Sequence, residues 1–515
     1  MDGAPDSGGE DWGLFGRPLF DDPTSRRLSR VGVVDIGSNS VRLVIFDGAA
    51  RSPAYFYNEK VLCGLGAGMA ETRRLNPEGK HRAMAAFRRF QALAEGFGIS
   101  PLTAVATAAM REAEDGPEFQ AQIETETGMS IFVVDGQDEA RLSAQGVLLG
   151  WPAATGLVCD IGGSSMEFAM LEDGVVGERG TYPLGPLKLQ SAKHGKGALR
   201  KMIDHETAVI GKHFSKAARR LYLVGGSWRA IAKVDMARRN YPLKVLHEYR
   251  PPPGDLKRTL KWIGNTDQAT LRHLTGISSG RMSLIPSASL VLDSVLRALK
   301  PKEIFVSSYG LREGLLWEQM PQTLRERDPL IEACRFAEAK DARVPGFGKV
   351  LFSFVKPLFP RFSKSRLRLV KAACLLHDVS WRAHPDYRAE VCFDYATRAN
   401  LGGLSHSDRV FLGLALLHRY KNSRAEQLNP MLDLIEKTQQ REAEILGKAL
   451  RFGSMFSAQQ SDQMGRLLWR RGHKQLVLHL NSETRALFGE PAQARFESLG
   501  KALHADTMVV STAAE

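Results

Sequence analysis

Two short strings place an aspartate directly before a turn of small hydrogen-bond donors: Asp35-Ile36-Gly37-Ser38-Asn39-Ser40 and Asp160-Ile161-Gly162-Gly163-Ser164-Ser165. A phosphate-hydrolysing cleft needs donors for non-bridging oxygens, carboxylates for a divalent cation and a base to orient water. Ser38, Asn39, Ser40, Gly162, Gly163, Ser164 and Ser165 supply donors, and Asp35, Asp160 and Glu167 supply carboxylates beside them. Glycine lets backbone N–H groups approach an anion closely. Arg111 follows an apolar run at a helix start, where a guanidinium can clamp phosphate bidentately. Glu139 stands at a loop-to-helix junction, on the side of an α/β sheet where active sites collect. Neither turn is followed by Gly-Lys-Ser/Thr, which excludes a nucleotide P-loop.

These residues need elements that bring them together. Each Asp ends one apolar run, and an alternating run follows its turn and closes on Asp47-Gly48 or Asp173-Gly174, the pattern of a β-hairpin. Strand signals at Thr103–Thr107 and Ile131–Val134 alternate with helical ones, the longest near Lys80–Phe97, up to about Trp151. The scheme repeats from Leu157, with Leu221–Val224 running into Gly225-Gly226-Ser227 and Ile304–Val306 running into Ser307–Gly310. Two α/β halves of one plan indicate a duplicated fold with two hairpins facing across a cleft. The expected division is a disordered tail over 1–29, lobes over 30–151 and 152–318, and a mainly helical domain over 319–515. That domain ends in a small α+β piece with a strand at Lys474–Leu480.

The formal net charge is +13. Residues 321–515 hold 30 Lys and Arg against 21 Asp and Glu. Such an excess suits a polyanion without selecting one. Within it, Arg361, Lys364, Arg366, Arg368 and Lys371 could guide a phosphate polymer or form a solvated helix face. The five cysteines show no CxxC spacing, so neither a disulfide framework nor a zinc site is expected, and a reducing cytoplasm suits them. No apolar run is expected to reach the ~20 residues of a membrane span.

The first turn, the Arg111 segment, Asp138-Glu139-Ala140-Arg141-Leu142, the second turn, Val224-Gly225-Gly226-Ser227 and Leu311-Arg312-Glu313-Gly314 follow one another as in the exopolyphosphatase/guanosine pentaphosphate phosphohydrolases. The chain resembles that family, part of the actin-like ATPase superfamily, well over about 30–318 and loosely beyond. The resemblance implies an α/β fold of two actin-like (ribonuclease H-like) lobes with a C-terminal, mainly helical, HD-like domain. It implies Glu139 as general base on the attacking water. Asp160 and Glu167, with Asp35, would serve the metal, and Arg111, both turns, Gly226 and Ser227 the phosphates. It further implies Mg2+, with a K+ requirement left open, and a homodimer acting on polyphosphate or guanosine pentaphosphate, without nucleic acid or membrane. A third reading is a non-catalytic polyphosphate or alarmone sensor; an actin-like kinase would need an adenosine pocket.

The second turn departs from the family's usual Asp-Ile-Gly-Gly-Gly-Ser-Thr-Glu. Ser164 replaces a glycine, which would strain a left-handed backbone, and Met166 removes a hydroxyl. His377-Asp378 is similar to half of an HD-type metal site, but no histidine lies between His273 and His377 to complete it, which favours a degenerate relic over an ion held by Asp378 and His384.

Overall fold

A computed structural model describes residue 28 and residues 30–99, 102–191, 196–423, 426–459 and 464–511. The chain forms two compact units, Met1–Arg327 and Asp328–Glu515. Most of the expected N-terminal tail lies outside the described residues. Leu28 belongs to the fold: its side chain is buried and its N–H bonds the Gly48 carbonyl at 2.8 Å.

The first unit is the duplication read from the sequence. One sheet holds β1 (Val31–Ile36), β2 (Ser40–Ala49), β3 (Ser52–Leu62), β4 (Thr103–Ala106) and β5 (Ser130–Val133) in the order β3-β2-β1-β4-β5. The other holds β6 (Gly156–Ile161), β7 (Met166–Glu172), β8 (Val175–Tyr182), β9 (Arg220–Val224) and β10 (Glu303–Val306) in the order β10-β9-β6-β7-β8. In each, three antiparallel strands lead and two parallel strands extend the first. These are two actin-like lobes.

Alternation along the central strands builds separate cores. On β1, Val31 and Val33 join one apolar cluster while Val34 and Ile36 join another, as the two-residue period of a strand requires. On β6, Val158 enters the cluster shared by both sheets, and Leu157, Cys159 and Ile161 point to the other face. Helices Gly136–Gly150 and Leu311–Gln319 fill the space between the sheets through Leu142, Val147, Leu315 and Leu316. Their backbones nearly touch. A Cβ on Gly314 would stand 1.8 Å from the Leu142 carbonyl oxygen, and one on Gly146 would stand 2.1 Å from that of Gly310.

Three expectations change. The unit ends at Arg327 rather than at 318, because Met320 and Leu324 are buried in the core between the sheets. Ser279–Leu299 is a helical stretch long and apolar enough to cross a membrane, contrary to the sequence reading. Its Met282, Ile285, Val291, Leu292 and Val295 are buried in the core of the second lobe. The long helix runs from Pro77 to Gly96, with the Asn76 side chain accepting from the Gly79 N–H at its start.

The second unit is mainly helical around one large apolar core, with a small satellite cluster of Ala389, Phe393 and Leu417. Its strands β11 (Arg466–Arg470), β12 (Gln475–Leu480) and β13 (Asp506–Ser511) form one small sheet, which contains the strand expected near 474–480. All five cysteines are free and buried.

Candidate active site

Strand register decides which side chains share the mouth of the first lobe. Asp35 lies opposite Arg42 across β1 and β2, and Arg42 lies opposite Lys60 across β2 and β3. Opposed residues share a sheet face, so one acid and two cations form a row. In the second lobe, Asp160 lies opposite Glu167 in the same way. The two copies thus differ in charge at the matching place.

The turns close identically. Gly37 N–H bonds the Ser40 carbonyl at 3.1 Å, and Gly162 N–H bonds that of Ser165 at 3.0 Å. They also meet: the Ser164 hydroxyl donates to the Ser38 hydroxyl at 2.9 Å. The serine that departs from the family's glycine therefore joins the turns, and its backbone is not in the left-handed region, so the expected strain is absent. Met166 points away from the cleft into the core of its lobe.

Between the turns lies a cleft of about 210 Å³ lined by Asp35, Ser38, Asn39, Ser40, Glu139, Asp160, the Gly162–Ser165 turn, Gly226 and Ser227. Glu139 enters from the first turn of helix Gly136–Gly150, which Asp135 caps by accepting from the Asp138 N–H. One helical turn later on the same face, Ser143 donates to Asp160, which ties helix to strand. Glu139 is 8 % exposed, and its Oε2 finds no hydrogen bond. Burial first, then the Asp160 charge, hold its carboxyl well above the usual carboxylate range, with Arg111 pulling the other way. A carboxylate so raised is a stronger base. Burial likewise raises Asp160, against the Ser143 hydrogen bond.

Two expected site residues lie outside the cleft lining. Glu167 does not line the cleft: it is 1 % exposed, and burial, with Glu139 and Asp160 nearby, raises its pKa. Arg111 does not line the cleft either. Its Nη1 donates to the Val134 carbonyl at 2.7 Å and stands 3.7 Å from Glu139 Oε2.

Among the described residues no group of three or more His, Cys, Asp and Glu could hold a metal ion. Asp35 and Asp160 both line the cleft, and two carboxylates completed by substrate phosphate oxygens and water suit Mg2+. The donor chemistry fits that ion without Glu167.

The cleft also gathers cations to which the sequence reading gave no role: Arg42, Lys60, Arg229, Arg281 and Arg312. Arg312 opens helix Leu311–Gln319, 3.9 Å from Asp35 Oδ2, with its buried Nη1 unpartnered. Arg281 lies over Gly226 and donates to its carbonyl at 3.3 Å. The Leu311-Arg312-Glu313-Gly314 motif offered a signal for one of these, and hairpin register for Arg42 and Lys60.

Part burial of the Lys60 ammonium, then Arg281 and Arg42, pull its pKa down to about 8. Lys60 therefore loses charge as pH rises through 8, and a polyanion loses one attraction. The KM for a polyanionic substrate should climb between pH 7 and pH 9 in the natural protein and stay flat in Lys60→Arg, whose charge persists. Equal climbs in both would remove Lys60 from the binding row.

In the second unit, Arg366 pairs with Glu442, and Arg368 pairs with Asp328 and donates to the Gly403 carbonyl at 2.7 Å. Neither is free to guide a polymer, whereas Arg361 and Lys364 face solvent and Lys371 is half-buried. Asp378 is 0 % exposed and held bidentately by Arg343, at 2.9 Å to Oδ2 and 2.5 Å to Oδ1. Burial and the nearby Arg419 push His377 down, leaving it neutral.

The model of the Ppx/GppA phosphatase family matches residues 44–323, and that of the exopolyphosphatase C-terminal region matches residues 352–509. The chain is 26 % identical over 304 residues to exopolyphosphatase 1 of Mycobacterium tuberculosis, covering 56 % of this chain and 88 % of that protein. It is 23 % identical over 438 residues to retrograde regulation protein 2 of Saccharomyces cerevisiae, covering 76 % and 72 %. The solved exopolyphosphatase of Cytophaga hutchinsonii shares the fold, with a TM-score of 0.52 at 23 % identity over 57 % of this chain and 98 % of that one.

Proposed function

The chain belongs to the Ppx/GppA phosphatase family, and from that footing we propose that it is an exopolyphosphatase, releasing orthophosphate from the end of inorganic polyphosphate. One observation carries the choice of substrate. Beside the cleft a second chamber of about 350 Å³ is lined by Lys60, Arg229, Lys233 and Arg281, with no carboxylate and no aromatic ring. A phosphoanhydride chain carries charge on every unit and needs cations along its length. A guanine would gain from a stacking partner, which this lining does not offer.

The turn donors hold the terminal phosphoryl group while Arg312 and Arg42 oppose its charge. Glu139 takes a proton from water; the water oxygen bonds to the terminal phosphorus, and the bridging P–O bond breaks toward the shortened chain. Bound at Asp35 and Asp160, Mg2+ would add charge neutralisation of the phosphate oxygens. Arg111 positions Glu139. The buried free thiols suit a reducing cytoplasm. The homodimer is the family's expectation and is read by light scattering.

The test is orthophosphate release from long-chain polyphosphate, guanosine pentaphosphate and ATP, each with Mg2+. Polyphosphate should be the fastest, and its rate should fall most steeply with salt. Release from guanosine pentaphosphate alone would overturn the substrate assignment; release from none would favour a binding sensor.

A further inference from the structure

We infer that the second unit carries an anion site of its own, where Arg419, Arg451 and Arg495 receive a compact, multiply charged phosphoryl ligand. A cavity of about 430 Å³ is lined by these three, Arg343, Ser454 and Gln459, and no carboxylate lines it. The site grows from simple placements. Arg451 and Ser454 share one face of helix Lys437–Phe456, Arg495 lies on helix Glu490–Leu503, and Arg419 follows the last residue of helix His406–His418.

The charge there is unbalanced. Arg343 is committed to Asp378, in the place where the His377-Asp378 motif would otherwise hold a metal. That pair is neutral overall and leaves three guanidinium groups over. Arg451 finds the Asn422 amide oxygen at 3.5 Å, the outer limit of a hydrogen bond, and is pulled down by burial and then by Arg495 and Arg419. Among the described residues Asp378, already held by Arg343, is the one carboxylate acting on Arg419. Like charges that so outnumber their acid cost stability unless an anion joins them.

An independent observation points into the cavity. Ser454 is 4 % exposed, and its Oγ has no hydrogen-bond partner. A buried hydroxyl without a partner is costly, and an anion oxygen would satisfy it. Ala458 and Gln459 are both in the left-handed region, at φ 48° and 67°, a strained lip of the kind found at ligand sites.

Three planar guanidinium forks and a hydroxyl match several oxygens on neighbouring tetrahedral centres better than a single carboxylate. The ligand class is therefore a short phosphoanhydride chain, either inorganic oligophosphate or the 5′ chain of a nucleoside polyphosphate. The site is separate from hydrolysis and stands whether or not the cleft is catalytic.

The test uses the full chain with Glu139→Gln, so that the probe persists. Calorimetry with tripolyphosphate should resolve two binding events per chain, one of which weakens at least tenfold when Arg451→Gln and Arg495→Gln are added. With the native arginines kept, phenylglyoxal labelling of Arg419, Arg451 and Arg495, read peptide by peptide, should fall severalfold under tripolyphosphate. Guanosine pentaphosphate tests the nucleotide source: protection by it alone assigns the nucleotide, and protection by tripolyphosphate alone assigns the inorganic chain. A single binding event in both proteins, or labelling unmoved by either probe, overturns the site.

Discussion

Glu139→Gln should lower kcat for phosphate release from polyphosphate by about 10²–10⁴-fold, the usual worth of a positioned general base, with little change in the affinity for the chain. Gln keeps the size and the hydrogen-bonding reach, so the buried pocket stays filled. It cannot accept the proton that water must lose. Glu139 is the carboxylate in the cleft with a buried, unpartnered oxygen, and Arg111 stands at the distance that holds its side chain in place. Glu139→Asp keeps the acid but withdraws it by one methylene, so part of the rate should survive. Steady-state kinetics separate the two effects, and a fall of less than tenfold in Glu139→Gln would assign the proton transfer elsewhere.

The second large effect is structural. Gly314→Ala places a Cβ 1.8 Å from the Leu142 carbonyl oxygen and 2.6 Å from its carbon. Backbone atoms cannot yield as a flexible side chain can, so helix Leu311–Gln319 must move off helix Gly136–Gly150. Overpacking of that kind costs about 1–3 kcal/mol, and sometimes more. The two helices carry Arg312 and Glu139, two residues before Gly314 and three before Leu142. Activity should therefore fall together with the unfolding temperature of the first unit, read by scanning calorimetry. An unchanged unfolding temperature would mean that the crossing is looser than these distances require.

What the sequence made legible was local. Each Asp turn, each hairpin and the repetition of the two halves depend on residues close in the chain, and all are present with matched turn hydrogen bonds. Glu139 was placed in the cleft because a strand-to-helix junction fixes it. Long-range packing was not legible. Glu167 stands beside its turn in sequence, yet it is paired with Asp160 across β6 and β7 and buried to 1 % exposure near Glu139. The direction of Arg111 depends on the Val134 carbonyl, and the commitment of Arg366 and Arg368 depends on acids 76 and 40 residues away. The cationic row needs strand register, because Lys60 joins Asp35 through two successive hairpin pairings. Arg281 reaches Gly226 from 55 residues downstream.

The most direct test of the account is hydrolysis of long-chain polyphosphate in ¹⁸O-water, followed by gel sizing of the remaining chain and mass spectrometry of the released phosphate. Attack of water on the terminal phosphorus puts one ¹⁸O into each orthophosphate released and none into the shortened chain, while the chain loses single units from its end. Label retained at the new chain ends, or a spread of internal fragments with little orthophosphate, would contradict a cleft that takes the terminal phosphoryl group against Glu139.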